Sequence, residues 1–422
     1  MEDMVHEKRP LIVVCIVPVL LITVCAGGSS SRTPAAPAFD GVPGVPYAVR
    51  DYPLEAVSGK TAFDYLRDEK IFSGWNVGNT LDSHSSGLAS ETGWGNPRIS
   101  QELMNGVKAA GFDIIRIPVT WMGYIGNAPD YRVSISRLER VAEVVEMAHN
   151  AGLKVIINLH HDGATQSGGR DLGWLSISKA SRNQEAYNQI TSQFVRLWRQ
   201  IALYFQNYGD WLIFEGFNEL HGGNWQTCSD FDEYITLNAW NQFFVDTVRA
   251  SGGNNESRFL MIAAYCSDYR QLCSGNFIMP KDTAEGGLIA TFHYYDPYQF
   301  SIGGSSSSWG TPFDRQRVPG DFAPVKKLYI DNNIPVIMGE CGAGMQLYPD
   351  NPEKEEQARK SRGEYLSYVF STAKQYGFVP MYWDNGSIRG NGEKFGLLDR
   401  RTGKPNSDVS RAYIEAMIRA VK

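Results

Sequence analysis

The chain of 422 residues lacks most features that mark disulfide-rich, zinc-binding or nucleic-acid-binding proteins. It has six cysteines, with no Cys-X-X-Cys pair and no Cys/His spacing of the kind that binds zinc. Forty Lys and Arg residues against 46 Asp and Glu give a net charge of −6, so the cationic surface that nucleic acids require is missing. At 43% hydrophobic residues, the chain is too apolar to be generally disordered. What is abundant is aromatic: ten Trp, 21 Tyr and 20 Phe, numbers that also suit clefts in which sugars stack.

The N-terminus differs in composition from the rest of the chain. Lys8-Arg9 precedes an apolar run from residue 11 to residue 24, which is too short to indicate a transmembrane span and is followed by small residues. This order is typical of a secretory signal peptide, which we assign to residues 1–28. The run ends at Cys25 and resembles a bacterial lipoprotein signal, although a Val precedes the cysteine where a small residue is usual; cleavage after Ala26 is the alternative. We therefore expect a secreted, cell-surface or periplasmic protein, either free or lipid-anchored at Cys25.

Residues 29–57 are rich in Ser, Pro and Gly and are predicted to form a short flexible linker. After residue 57 the sequence contains no second linker, no low-complexity segment and no repeat. Residues 58–422 are therefore predicted to form one folded domain. We expect a monomer with no membrane span in the mature protein.

A short β-rich apolar run followed by a longer amphipathic helical stretch recurs along this domain. The predicted strands are 74–78, 113–118, 154–160, 211–217, 259–264, 288–293, 335–339 and 379–383, and the predicted helices are 99–110, 136–151, 183–208, 231–251, 325–332, 355–376 and 407–421. The strands are continuous apolar runs, as parallel strands buried on both faces should be. Eight strands with crossover helices indicate an α/β fold, a single (β/α)8 TIM barrel.

The residues at the carboxyl ends of these strands carry the strongest functional signal. Active sites of such barrels lie at that end, and seven of the eight ends bear a polar or aromatic side chain directly after an apolar run. These residues are Asn76, Arg116, His160, His161, Asn218, Glu219, His293, Tyr295, Glu340 and Trp383. Glu219 and Glu340 follow the fourth and seventh strands, which face each other across the mouth of a barrel. Two opposed carboxyl groups are what hydrolysis of a glycosidic bond requires.

Six sequence blocks, in order, resemble glycoside hydrolase family 5 endoglucanases of clan A. They are GWNVGNTLD from residue 74, RIPVTW from 116, HHD from 160, FEGFNE from 214, HYY from 293 and GE from 339. The first block is similar to the bacterial cellulase and xyloglucanase branch in particular. The resemblance covers roughly residues 72–384: the six blocks lie at the first four strands and at the sixth and seventh, and the eighth contributes Trp383.

The resemblance implies a role for each strand-end residue. Glu219 would be the catalytic general acid/base and Glu340 the catalytic nucleophile, while Asn218 would hydrogen-bond the sugar 2-hydroxyl. Arg116 and Tyr295 would hold Glu340 in place, and Asn76 would support the site. His160 and His293 would orient hydroxyls or carboxylates, and Trp383 would face the sugar. Because adjacent strand residues point to opposite faces, we expect His160 in the cleft and His161 in a supporting role, and no metal at this pair.

The expected activity is that of a retaining endo-β-1,4-glucanase acting on cellulose, mixed-linkage β-glucan or xyloglucan, with no metal or organic cofactor. A xylanase or mannanase on the same scaffold is an alternative, since the subsite loops, and not the catalytic residues, determine which sugar is bound. A non-catalytic sugar-binding lipoprotein is a further alternative. Trp94, Trp174, Trp225 and Trp309 are each equally compatible with packing or with an outer sugar subsite, and Cys266 and Cys273 with a short bridge or with free thiols.

Overall fold

The computed structural model describes residues 47–166, 168–225, 228, 230–389 and 393–422. The predicted signal peptide, Cys25 and residues 29–46 of the predicted linker lie outside these residues. Eight parallel strands close a barrel, and each pairs with the next in the chain until β8 returns to β1. The strands are β1 Gly74–Val77, β2 Ile114–Ile117, β3 Lys154–Asn158, β4 Leu212–Glu215, β5 Leu260–Asp268, β6 Leu288–Tyr294, β7 Val336–Cys341 and β8 Phe378–Asp384. The predicted (β/α)8 barrel is thereby confirmed, with all eight predicted strands at their expected places.

Eleven α-helices accompany the strands within the described part of the chain. They are α1 Ala62–Asp68, α2 Gln101–Ala109, α3 Ile135–Asn150, α4 Ile177–Arg182, α5 Gln184–Tyr204, α6 Phe231–Arg249, α7 Tyr269–Leu272, α8 Tyr298–Ser301, α9 Pro312–Leu328, α10 Pro352–Gln375 and α11 Asp408–Val421. Two short antiparallel ribbons, 84–85 with 88–89 and 165–166 with 170–171, lie in loops after β1 and β3. None of the described helices has the length and apolar character needed to cross a bilayer.

The barrel interior has an apolar lower layer and a polar upper layer. The lower layer includes Ile114, Ile156, Ile213, Met261, Ile289, Ile337 and Met381, which form one buried cluster with residues of α1. Alternate residues of a strand share a face, so the side chains two positions further along β2, β3 and β4 also point inward. Those residues are Arg116, Asn158 and Glu215, all fully buried. The two-residue alternation of the strands therefore places these polar and charged side chains directly above the apolar lower layer.

Helix α9 corrects one prediction. The sequence pattern indicated a helix only over 325–332, because Pro319 and Pro324 argue against a helix before that point. The observed helix begins at Pro312, where Thr311 and Asp314 form a capping box. Val318 and Phe322 on its buried face pack on the barrel, and the free energy of this burial offsets the loss of the backbone hydrogen bonds that the two prolines cannot form.

Residues 47–57, assigned to the linker by composition, contact the barrel. Tyr52 stacks on Tyr208 with ring centroids 3.9 Å apart. The Glu55 carboxylate accepts hydrogen bonds from the Trp211 indole and the Gly209 amide, both at 2.6 Å. Tyr52 and Glu55 therefore pack with the folded domain, and residues 29–46 of the predicted linker lie outside the described residues.

Candidate active site

Arg116 lies near the carboxyl end of β2, and its inward-pointing side chain is the centre of a buried polar network. Its Nε donates to Glu215 Oε2 at 2.6 Å, and its Nη1 donates to Glu340 Oε1 at 2.7 Å and Asn76 Oδ1 at 3.1 Å. Its Nη2 donates to Asn218 Oδ1 at 2.7 Å. The side chain is fully buried, so these ion pairs are not screened by water. One guanidinium thus fixes residues from β1, β4 and β7 in a single arrangement.

Glu340, in β7, has a defined partner for each carboxylate oxygen. Oε1 accepts from Arg116, and Oε2 accepts from the Tyr295 hydroxyl at 2.9 Å. Burial raises the pKa of this carboxyl, while the neighbouring His293 and the Arg116 guanidinium oppose that rise. The carboxylate is therefore fixed in orientation, with a permanent cation against it.

Glu219 lies opposite, in a different environment. Its Oε1 is 2.6 Å from His293 Nδ1, and its side chain is 21% exposed against 6% for Glu340. Burial raises the pKa of Glu219 to about 7 and lowers the pKa of His293 to about 4. Near neutral pH the imidazole is therefore uncharged, and the Glu219 carboxyl can hold a proton that an ordinary glutamate would have lost. The two glutamates are thus suited to different tasks.

The separation of the two carboxylates bears on the reaction type. One oxygen of Glu219, one oxygen of Glu340 and one nitrogen of His293 all lie within 4.8 Å of one another. Retaining glycosidases hold their carboxyl groups about 5 Å apart, whereas inverting enzymes leave roughly 6.5–9.5 Å for a water molecule. The nearest oxygens of the two acids therefore lie within 4.8 Å of each other, which agrees with the shorter spacing of the retaining class.

His160 lies beside Trp383, with parallel rings and centroids 5.8 Å apart. The Asn158 Oδ1 accepts from the Val119 amide, so its Nδ2 faces Glu215 Oε2 at 2.9 Å and His160 Nδ1 at 3.1 Å. His160 Nδ1 is therefore an acceptor, and burial lowers its pKa well below the usual value. The neutral ring then carries its proton on Nε2, which makes it a hydrogen-bond donor.

His161 is closer to His160 than strand alternation predicts. Both residues follow the last residue of β3, and their rings meet edge to face at 4.5 Å. His161 is the more exposed of the two and also contacts His84 and Trp94. The expectation that the two histidines face opposite sides does not hold, because the backbone leaves the strand at Asn158.

Two groups of described side chains have the composition of a metal site. The groups are Asp82 with His160 and His161, and Glu219 with His293 and Glu340, each with candidate ligand atoms within 4.8 Å of one another. In the first group His160 accepts at Nδ1 and carries its proton on Nε2, so neither nitrogen offers a free lone pair. The second group is the carboxylate pair itself. The expected absence of a metal stays a prediction.

The tryptophans proposed as outer subsites divide into two kinds. Trp94 and Trp225 are exposed, at 42% and 47%. Trp309 is buried, edge-on to Tyr365 and under the Arg315 guanidinium, so it is a packing residue. Trp174 is partly buried and donates its indole N–H to Asp162 at 2.7 Å.

The structure adds two residues to which the sequence assigned no role. Asn158 and Glu215 lie in the same buried layer as Arg116: Glu215 Oε2 accepts from Arg116 Nε and also from Asn158 Nδ2. Each stands two positions after a buried isoleucine of its strand, a spacing that would have identified it as inward-facing. The described cysteines Cys228, Cys266, Cys273 and Cys341 are free thiols.

Comparison with known proteins agrees with this geometry. A family model described as "Cellulase (glycosyl hydrolase family 5)" matches residues 78–388. Endoglucanase A of Paenibacillus barcinonensis is 36% identical over 350 residues, covering 78% of this chain and 83% of that protein. A xyloglucan-specific endo-β-1,4-glucanase of Bacteroides ovatus is 37% identical over 360 residues, 81% of this chain and 68% of that one. A solved Bacteroidetes-affiliated GH5 cellulase, linked with a polysaccharide utilization locus, superposes with a TM-score of 0.79 at 34% identity, covering 86% of this chain and 94% of that one.

Proposed function

The chain belongs to glycosyl hydrolase family 5 and is an endo-β-1,4-glucanase, and on that premise we propose that it cleaves β-glucan by double displacement through Glu219 and Glu340. The main support for the proposal is that Glu219 and Glu340 have carboxylate oxygens within 4.8 Å of each other but lie in different environments. One is paired with a guanidinium, and the other has its pKa raised to about 7. When two neighbouring carboxyl groups have different pKa values, the one with the higher pKa can act as the acid and the other as the nucleophile. Glu219 is therefore the acid and Glu340 the nucleophile.

In the first step Glu340 attacks the anomeric carbon while Glu219 protonates the departing glycosidic oxygen. Glu340 is held by Arg116 and Tyr295, so its attacking oxygen is aimed before substrate arrives. The Asn218 Oδ1 accepts from Arg116, which leaves its Nδ2 to donate to the sugar 2-hydroxyl. That contact strengthens as positive charge develops at the anomeric carbon.

In the second step water hydrolyses the covalent glycosyl-enzyme. Glu219, now ionised, takes a proton from the water, and Glu340 leaves as a carboxylate stabilised by the Arg116 guanidinium. His293 stays neutral because its pKa is about 4, so it is available as a hydrogen-bond partner for Glu219 in both steps. The cycle retains the anomeric configuration.

We propose a β-1,4-glucan as the substrate, with xyloglucan among its forms. Support comes from the relatives, an endoglucanase and a xyloglucan-specific enzyme. The exposed faces of Trp94 and Trp225 are suitable for stacking sugar rings beyond the central subsite. A polymeric substrate also agrees with export by the signal peptide that we propose for residues 1–28.

The test is reducing-sugar release by the protein from Ser29 onward on carboxymethylcellulose, barley β-glucan, xyloglucan, xylan and galactomannan. We expect activity on one or more of the first three, with β-configured product seen first by NMR. Activity confined to xylan or galactomannan would overturn the substrate proposal. Initial α-product would exclude double displacement.

The pH profile provides a separate prediction. Glu219 must be protonated for the first step, and its pKa of about 7 lies above the ordinary value of 4.5. As pH rises through about 7 the proton is lost, so kcat/KM on β-glucan should fall there. Circular dichroism at each pH controls for unfolding. A kcat/KM that stays constant well above pH 7 would contradict the assignment of the acid.

A further inference from the structure

The end of β5 has an unusual backbone that the proposed reaction does not use. Cys266 and Ser267 both adopt the left-handed conformation, with φ of 58° and 49°. Neither is glycine, and the left-handed region is strained for residues that carry a Cβ atom. Two adjacent residues of this kind persist only where the surrounding contacts hold them.

The strained pair is part of a bulge in the ladder between β5 and β6. Thr291 pairs with Ala263, and His293 pairs with Asp268, so β5 advances five residues while β6 advances two. The extra residues of β5 turn out of the ladder towards β4. Bulges of this kind re-aim side chains and backbone groups beside active sites.

The bulge holds the backbone on both sides of Glu219. The Ser267 hydroxyl donates to the Asn218 carbonyl at 3.0 Å, and the Cys266 amide donates to the Leu220 carbonyl at 2.9 Å. Ser267 is fully buried, so water does not compete for its hydroxyl. Glu219 thus stands between two anchored carbonyls, both fixed from β5.

The same bulge ends beside the hydrogen-bond partner of Glu219. The register between β5 and β6 resumes at the pair Asp268 and His293, so the bulge ends at the residue that pairs with His293. His293 Nδ1 is the atom that lies 2.6 Å from Glu219 Oε1. The bulge therefore contacts the backbone on either side of one member of that hydrogen bond and ends at the residue that pairs with the other.

We infer that this bulge positions the general acid/base, and that Ser267 is a positioning residue acting through the Asn218–Glu219 backbone. The inference rests on the proposed role of Glu219. Without the Ser267 hydroxyl, the buried Asn218 carbonyl loses its donor, and the following peptide is free to rotate. A small displacement of the Glu219 carboxyl impairs proton transfer, while Glu340, held from β2 and β6, keeps its geometry.

The test compares leaving groups that do and do not need a proton. For Ser267→Ala we expect kcat/KM on barley β-glucan to fall about tenfold. On 2,4-dinitrophenyl β-cellobioside, whose leaving group departs without a proton, kcat/KM should stay within about twofold. Ser267→Gly removes the left-handed strain as well as the hydroxyl, so it should show the same split without loss of thermal stability. An equal fall on both substrates, or no fall on either, would overturn the inference.

Two further variants separate this inference from the proposed function. Ser251→Ala removes another buried hydroxyl that donates to a backbone carbonyl, at 2.8 Å, and should leave both rates unchanged. Glu219→Ala should show the leaving-group split on a larger scale. If Glu219→Ala lacks the split, the proposed function fails. If it has the split and the Ser267 variants do not, only the positioning role fails.

Discussion

Glu340→Gln lowers kcat/KM on barley β-glucan by about 10⁴-fold or more, the scale found when a covalent nucleophile is removed. An amide is too weak a nucleophile to form the glycosyl ester, so the first displacement at the anomeric carbon lacks its nucleophile. The substitution keeps the side-chain shape, and the amide oxygen can still accept from Arg116 Nη1, so the fold is retained. Reducing-sugar assays at matched protein concentration measure the loss, and thermal denaturation verifies the fold.

Glu233→Gln is the matched control for this experiment. Glu233 is also a buried carboxylate that accepts from a tyrosine hydroxyl, that of Tyr265 at 2.7 Å, as Glu340 accepts from Tyr295. It has no contact with Arg116 among its described hydrogen bonds. We expect its activity to stay within about threefold of the wild type, the range of a stability effect alone. A Glu340→Gln variant that retains full activity, or a Glu233→Gln variant that loses as much, would remove Glu340 from the nucleophile position.

The barrel and its strand-end residues could both be predicted from one local pattern, an apolar run followed by a polar side chain. A buried parallel strand is a continuous apolar run, and the first polar side chain after it lies at the carboxyl end of the sheet. Arg116 and Glu340 were found by that rule. Asn158 and Glu215 were given no role, although the period-two spacing from Ile156 and Ile213 points them inward.

Features that depend on distant contacts were not predictable in the same way. The prolines of α9 argue against a helix locally, and only packing on the barrel overrides them. The left-handed residues Cys266 and Ser267 have no local sequence signal, since Gly and Asn are the usual residues there. Both residues are held by hydrogen bonds to the segment that follows β4, at Asn218 and Leu220. Such tertiary constraints cannot be predicted from short stretches of the sequence.

Arg116→Met has the second-largest expected effect, on stability and activity together. Removing the guanidinium leaves Glu215 and Glu340 buried without their cation, and breaking a buried ion pair costs about 3–5 kcal/mol. The loss also raises the pKa of Glu340, because an adjacent cation favours the ionised carboxylate. The acid limb of the kcat/KM profile should therefore move to higher pH, and the thermal midpoint should fall. Both are measured on the purified variant beside the wild type.

The double variant Arg116→Met, Glu215→Gln separates the two effects. Glu215 is fully buried and pairs with Arg116 Nε, so its neutralisation removes one of the two uncompensated charges. We expect the double variant to recover part of the lost thermal stability. Activity should stay low, because Glu340 still lacks the Arg116 Nη1 donor at 2.7 Å. If activity returns in step with stability, Arg116 contributes only to the fold, and the charge on Glu340 is controlled by His293 and Tyr295 instead.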